Sequence, residues 1–208
     1  MTNIRVILLT LCGLFASQVA LGNPTQSTFV GNGACASCHA SQVQDWTGSH
    51  HDLAMQEASE KTVLGDFDNA NFVYEGVTTS FYRKGDEYWV KTDNENGELQ
   101  DYRVAYVFGV YPLQQLLLPI QNGRLNALSI AWDARNTSEG GQRWYHIYEN
   151  QEPVTSESPL HWTGIYHNWN SRCAECHSTN VVKGYDGTRR QYTTTYDQIN
   201  VGCEACHG

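Results

Sequence analysis

After residue 22 the sequence has no apolar run long enough to cross a membrane. It has no low-complexity tract and no long run of charge. Basic residues are scarce: Lys and Arg total 13 against 22 Asp and Glu, a formal net charge of −9. That balance argues against nucleic acid as a partner, because phosphate binding rests on clustered positive charge. Surplus acid keeps a protein soluble, and it can steer a basic partner toward the surface. Cysteine is confined to one pattern. Of the 7 cysteines, Cys12 lies in the apolar N-terminal stretch and the other six form three pairs, each with two residues between. None is left over for a structural disulfide.

The apolar N-terminal stretch reads as a secretory signal peptide over residues 1–22. Arg5 supplies the charged start, residues 6–16 the apolar centre, and Ala20-Leu21-Gly22 the small residues at the cleavage positions. The centre is too short, and too soon followed by Ser17, Gln18 and Asn23, to make a good membrane anchor. Cys12 leaves with the leader, and the bulky Leu11 before it makes a poor lipidation site. The mature chain is therefore expected to be exported, to the periplasm or its equivalent, with no transmembrane anchor.

Periodicity divides the rest. Residues 41–59 follow helical spacing through Val43, Trp46, His50, Leu53, Ala54 and Glu57, with Ser41 as cap. From about residue 71 the period becomes two. Strands are expected at 72–74, 78–82, 88–92, 99–108, 125–132 and 143–148. Lys84-Gly85-Asp86 and Asn94-Glu95-Asn96-Gly97 supply hairpin turns. Residues 23–69 read as a first cofactor-binding segment, 70–150 as an inserted antiparallel β unit, and 151–208 as a mostly helical and irregular second cofactor-binding segment. The fold class is α+β.

The chemistry lies in Cys35-Ala-Ser-Cys38-His39, Cys173-Ala-Glu-Cys176-His177 and Cys203-Glu-Ala-Cys206-His207. Two thiols separated by two residues can add to the two vinyl groups of a haem, and the next histidine then binds the iron from below. A zinc centre would use two pairs and leave a third over. A thioredoxin-like dithiol needs a βαβ setting that is missing. A disulfide framework does not call for histidine after each second cysteine. Three c-type haems follow, with Cys35, Cys38, Cys173, Cys176, Cys203 and Cys206 as attachment points and His39, His177 and His207 as proximal iron ligands.

The opposite faces of the irons need ligands too. Methionine is nearly absent: Met55 alone remains after cleavage, so methionine can serve one iron at most. The spare histidines are His50, His51, His146, His161 and His167. Bis-histidine ligation is the economical reading, and helical spacing points to His50. The 6 Trp, 12 Tyr and 6 Phe are mostly core material. Trp46 and Trp169 are the first candidates to stack on a porphyrin edge. Asn136-Thr137-Ser138 matches a glycosylation sequon, a pattern common by chance.

A wider set of motifs recurs in order: Ser49-His50-His51-Asp52-Leu53-Ala54-Met55, Phe108-Gly109 with Pro112-Leu113-Gln114-Gln115, Gly123-Arg124-Leu125, Ala131-Trp132-Asp133, Gly141-Gln142-Arg143-Trp144, His161-Trp162-Thr163-Gly164, Asn168-Trp169-Asn170, Cys176-His177-Ser178-Thr179-Asn180 and Val201-Gly202-Cys203 through Gly208. The chain resembles the cytochrome c-554-type multihaem family over residues 31–208, in particular periplasmic members with tetratricopeptide repeats behind the haem region. The resemblance implies electron transfer through closely packed haems. It favours His51, His146 and His161 as distal ligands over His50 and His167. It also implies a longer protein, since such members continue past the last motif, whereas this chain stops one residue beyond His207.

Electron carriage to unidentified redox partner proteins is the expected function. The rival is a haem-based oxidoreductase acting on a small nitrogen or sulfur compound at a five-coordinate iron. Its sequence mark, a lysine in place of a motif histidine, is missing. A gas-sensing or scaffolding role is the third reading.

Overall fold

The computed structural model describes residues 28–207. The expected leader, its cleavage point and Cys12 lie outside the described residues. The architecture is α+β, with two antiparallel sheets at its centre and short helices at both ends of the chain.

One sheet is a meander of β2 (Ala70–Tyr74), β3 (Val77–Lys84), β4 (Glu87–Asp93) and β5 (Leu99–Arg103), in that order. Its turns are local chemistry. Glu75 and Gly76 both take positive φ between β2 and β3, the backbone twist that a two-residue hairpin loop requires. Between β4 and β5, the Asn94 Oδ1 accepts from the N–H groups of Asn96 and Glu98 at 2.9 and 3.0 Å.

The second sheet runs β1 (Met55–Glu57), β6 (Tyr106–Phe108), β7 (Leu113–Pro119), β9 (Ile130–Asp133), β10 (Arg143–His146), and β8 (Leu125–Ala127) also pairs with β7. The inward faces of both sheets share one core. Phe81, Tyr88, Val90 and Tyr102 come from the meander, and Val107, Leu116, Leu118, Trp132 and Trp144 from the second sheet. Phe81 and Trp144 stack with ring centroids 3.7 Å apart. Gly65 is needed beside them, because a Cβ there would lie 2.4 Å from the Trp144 ring.

The second sheet is covered on its other face as well. Leu117 and Ala127 point away from the shared core and pack with Met55, Trp169 and Ala174. Leu116, Leu117 and Leu118 are all buried in succession for this reason. A run buried on both faces has no period of two, so sequence pattern does not single out β7 as a strand.

Three expectations need correction. The helix expected over 41–59 is only α2 (Ala40–Trp46), preceded by α1 (Asn32–Ala36). Thr47 is extended and Gly48 has φ +76, which ends the helix. Residues 47–53 form a turn instead. The Gly48 N–H donates to Asp52 Oδ2 at 2.8 Å, and the Asp52 N–H to Ser49 Oγ at 3.3 Å. The chain then enters β1, where Met55 pairs with Phe108. The strand expected at 99–108 is two, because Val104 donates to Tyr88 of the meander while Ala105 donates to Leu117 of the second sheet. The strand expected at 125–132 is likewise divided into β8 and β9.

Residues beyond 150, expected to be mostly helical and irregular, are chiefly irregular, with α3 (Trp169–Arg172), α4 (Ala174–His177), the small hairpin β11 (Tyr185–Asp186) and β12 (Gln191–Tyr192), and α5 (Glu204–His207). Among the described residues, no helix is long and apolar enough to cross a membrane.

The shared core predicts a contrast. Leu116→Ala, at a side chain 1% exposed, should cost roughly 2–5 kcal/mol. Val73→Ala, at one 63% exposed, should cost less than about 0.5 kcal/mol. Chemical denaturation of both variants measures the difference, and equal midpoints would contradict this core assignment.

Candidate functional site

Each Cys-x-x-Cys-His motif folds as a single helical turn closed on its first cysteine. Cys38 and His39 donate to Cys35 O at 3.2 and 2.9 Å, Cys176 and His177 to Cys173 O at 3.1 and 3.1 Å, and Cys206 and His207 to Cys203 O at 3.2 and 3.1 Å. The repetition matters because one turn places residues i, i+3 and i+4 on the same side. Both thiols and the imidazole then address one ligand.

The first and third motifs, far apart in sequence, lie against each other. The Glu204 carboxylate at the head of α5 accepts from the N–H of Val30 at 3.0 Å and of Gly31 at 2.7 Å. The Asn32 side chain accepts from the Cys203 N–H at 2.8 Å. Burial pushes the Cys203 thiol up, and the adjoining Cys35 thiol adds to the shift by charge and hydrogen bonding.

The second motif sits deeper. Ala174 is 1% exposed, and burial pushes the Cys173 thiol up. His177 is half-buried, and burial pushes its pKa down. Its Nδ1 is buried without a hydrogen-bond partner. A buried ring nitrogen left unpaired is costly. Beside it lies a cavity of about 220 Å³ whose walls include His50, His51, Cys176, His177 and Val201. The structure thus brings the His50–His51 pair to the second motif.

The other spare histidines lie elsewhere. His146 and His161 border a small space of about 30 Å³ together with Tyr74, Thr92 and Asp93, and no motif residue lines it. That volume suits a water molecule and is far smaller than a porphyrin. Both ring nitrogens of His161 are engaged: Nε2 with Asp93 Oδ2 at 3.1 Å, Nδ1 with Thr163 Oγ1 at 2.8 Å. His146 stacks on Tyr74 at 3.7 Å and accepts the Tyr148 N–H through Nδ1 at 3.3 Å. His167 is buried and donates through Nε2 to Leu160 O at 3.1 Å. Met55 is 1% exposed, and its sulfur accepts from Trp169 Nε1 at 3.0 Å and Ser178 Oγ at 3.6 Å. Trp169 is therefore core, whereas half-buried Trp46 donates to Val201 O at 2.9 Å.

One functional segment escaped the sequence reading. Residues 199–202, just ahead of the third motif, bond in several directions. Ile199 O accepts from Ser178 Oγ at 2.7 Å and Asn200 O from Thr179 Oγ1 at 2.8 Å, which ties them to the second motif. Val201 N–H donates to His51 O at 3.2 Å, and Asn200 Nδ2 donates to Asp52 O and Oδ1 at 3.0 and 2.9 Å. A Cβ on Gly202 would lie 1.9 Å from Gln198 Oε1, so a side chain there would need the Gln198 amide to move. The only sequence signal was the glycine beside the motif.

Three closed turns with paired thiols and histidine define a c-type cytochrome. Residues 34–72 and 132–208 match the family described as Cytochrome c554 and c-prime. The chain belongs to that family. No curated protein and no solved structure matched it. As a c-type cytochrome it carries haem attached covalently through cysteine and exchanges electrons with redox partner proteins.

His146 generates a pH prediction. Burial, with His167 nearby, pushes its pKa from 6.5 down to about 4. Between these values the unfolded chain takes a proton that the folded chain does not. Stability should fall as pH drops from about 6.5 to about 4 and lose this dependence below. His146→Gln should flatten that part of the profile in urea titrations; an unchanged slope would contradict the assignment.

Proposed function

We propose that the protein is an exported, periplasmic electron-transfer cytochrome with three haems, one on each motif. Cys35, Cys38 and His39 hold the first, Cys173, Cys176 and His177 the second, and Cys203, Cys206 and His207 the third. The bound haem iron supplies the redox chemistry by cycling between its ferric and ferrous states. The chain's own residues fix where the groups are attached and what reaches their iron. The observation that carries the reading is the common turn of all three motifs together with the packing of the first against the third. Attachment points in contact suit transfer between haems rather than three separate sites.

His51, with His50 as the alternative, is the distal ligand at the second motif. The shared cavity supports this. The engagement of Met55 sulfur by two donors supports histidine over methionine there. Residues 70–150 form the inserted β unit between cofactor-binding segments 23–69 and 151–208. The break in the family match between residues 72 and 132 falls inside that unit and supports the division. The likeness to repeat-bearing members supports a place as the haem region of a longer periplasmic protein.

Mass spectrometry of the exported protein should show three haem masses, and replacing both cysteines of any pair by alanine should remove one. Low-temperature electron paramagnetic resonance and optical spectra should show low-spin haems indifferent to nitrite, hydroxylamine and carbon monoxide. A wild-type haem that is high-spin and shifts on ligand addition would overturn the carrier reading in favour of a haem oxidoreductase. Zinc or free thiols in place of haem would overturn both.

A further inference from the structure

We infer that Asn200, through Asp52, is a positioning residue for the distal histidine at the second haem. The inference rests on the reading that an imidazole of the His50–His51 pair faces that haem.

The turn carrying His50 and His51 is closed by bonds of its own, Leu53 N–H to Ser49 O at 2.9 Å and Ala54 N–H to His51 O at 3.3 Å. Both histidines are exposed, and the turn follows a helix that ends at Trp46. It is also held from outside. The Asn200 amide donates twice into it, to Asp52 O at 3.0 Å and Asp52 Oδ1 at 2.9 Å. The other carboxylate oxygen of Asp52 accepts from the Gly48 N–H at 2.8 Å, closing the turn at its start. One carboxylate therefore joins the entry of the turn to Asn200.

Asn200 is itself anchored to the second motif. Its carbonyl accepts from Thr179 Oγ1 at 2.8 Å, two residues past His177. The path from proximal to distal side is short: His177, Thr179, Asn200, Asp52, His51. Its members are hydrogen-bonded or near neighbours in sequence. Two groups that bind one metal from opposite sides need a fixed separation, and bonds around a ligand set that separation. Asn200 does so at a distance, since it lines no part of the cavity between His51 and His177.

The test uses haem-loaded protein. Asn200→Asp keeps the shape, removes both donors and sets a carboxylate against Asp52. The reduced variant should bind carbon monoxide at one haem of three, and the oxidised variant should show a matching high-spin signal, with all three haem masses retained. Asn200→Asp combined with Asp52→Asn restores a donor to the pair, and it should recover the low-spin spectrum. Should Asn200→Asp not accumulate, Asn200→Ala carries the same test. Wild-type spectra in a fully loaded variant would overturn the inference. So would failure of both variants to retain three haems, because the contact would then serve folding and not ligand placement. The underlying reading fails separately: if neither His50→Ala nor His51→Ala yields a high-spin haem, no imidazole of that pair is a ligand.

Discussion

The arrangement depends on the hydrogen bonding of residues 199–202. Their peptide groups meet the turn with His50 and His51, the residues following His177, and the α2 tryptophan, while the next residue opens the third motif and bonds to Asn32. Each such bond contributes only about 1 kcal/mol. Their effect comes from convergence. The segment ties the second motif to the third and to the α2 tryptophan, and Cys203 and Glu204 just after it meet the first motif's side of the chain at Asn32, Val30 and Gly31. Gly202 lies in the same crowding, where a Cβ would displace the side-chain ends of Gln198 and Asn32.

The β unit gives this segment something rigid to work against. The second sheet is buried on both faces, with one face in the aromatic core and the other against Met55, Trp169 and Ala174 beside the second motif. Trp169 and Ser178 both donate to the Met55 sulfur, so the residue that could have ligated an iron instead joins α3 and the end of the second motif to strand β1. The buried histidines His146, His161 and His167 bond or stack with neighbouring protein groups. His161 links Asp93 to Thr163, and His146 stacks on Tyr74. Acceptors, donors and stacking partners already occupy these rings, while His50 and His51 open onto the cavity beside His177.

Much of this was legible in the sequence, for identifiable reasons. The motif turns are local, so spacing alone carries them. The meander was legible because Phe81, Tyr88 and Val90 alternate with less buried neighbours and because Gly85 and Gly97 mark two of its turns. β7 was not, because Leu116–Leu118 is buried on both sides and reads as an apolar run. The helix over 41–59 was overdrawn because Leu53 and Ala54 fall at helical spacing from Trp46 by coincidence, while Gly48 and Asp52 build a turn between them. Residues 199–202 entered only as Val201-Gly202 ahead of the third motif, since apart from the Asn200 side chain their bonds run through backbone groups that any sequence carries. For the histidines, counting gave five spares, helical spacing pointed to His50, and the family resemblance favoured His51, His146 and His161. Burial and cavity geometry separate the exposed pair from the three enclosed in the protein.

The central claim is that one short segment gathers the motifs, with the first and third in contact. A crystal structure of the haem-loaded protein tests it by the positions of the Cys35 and Cys203 sulfurs. The account predicts that they are neighbours, with Asn32 and Glu204 bridging the two turns and Asn200 bonded to Asp52. Sulfurs separated by intervening protein, with residues 199–202 detached from the His51 turn, would contradict it.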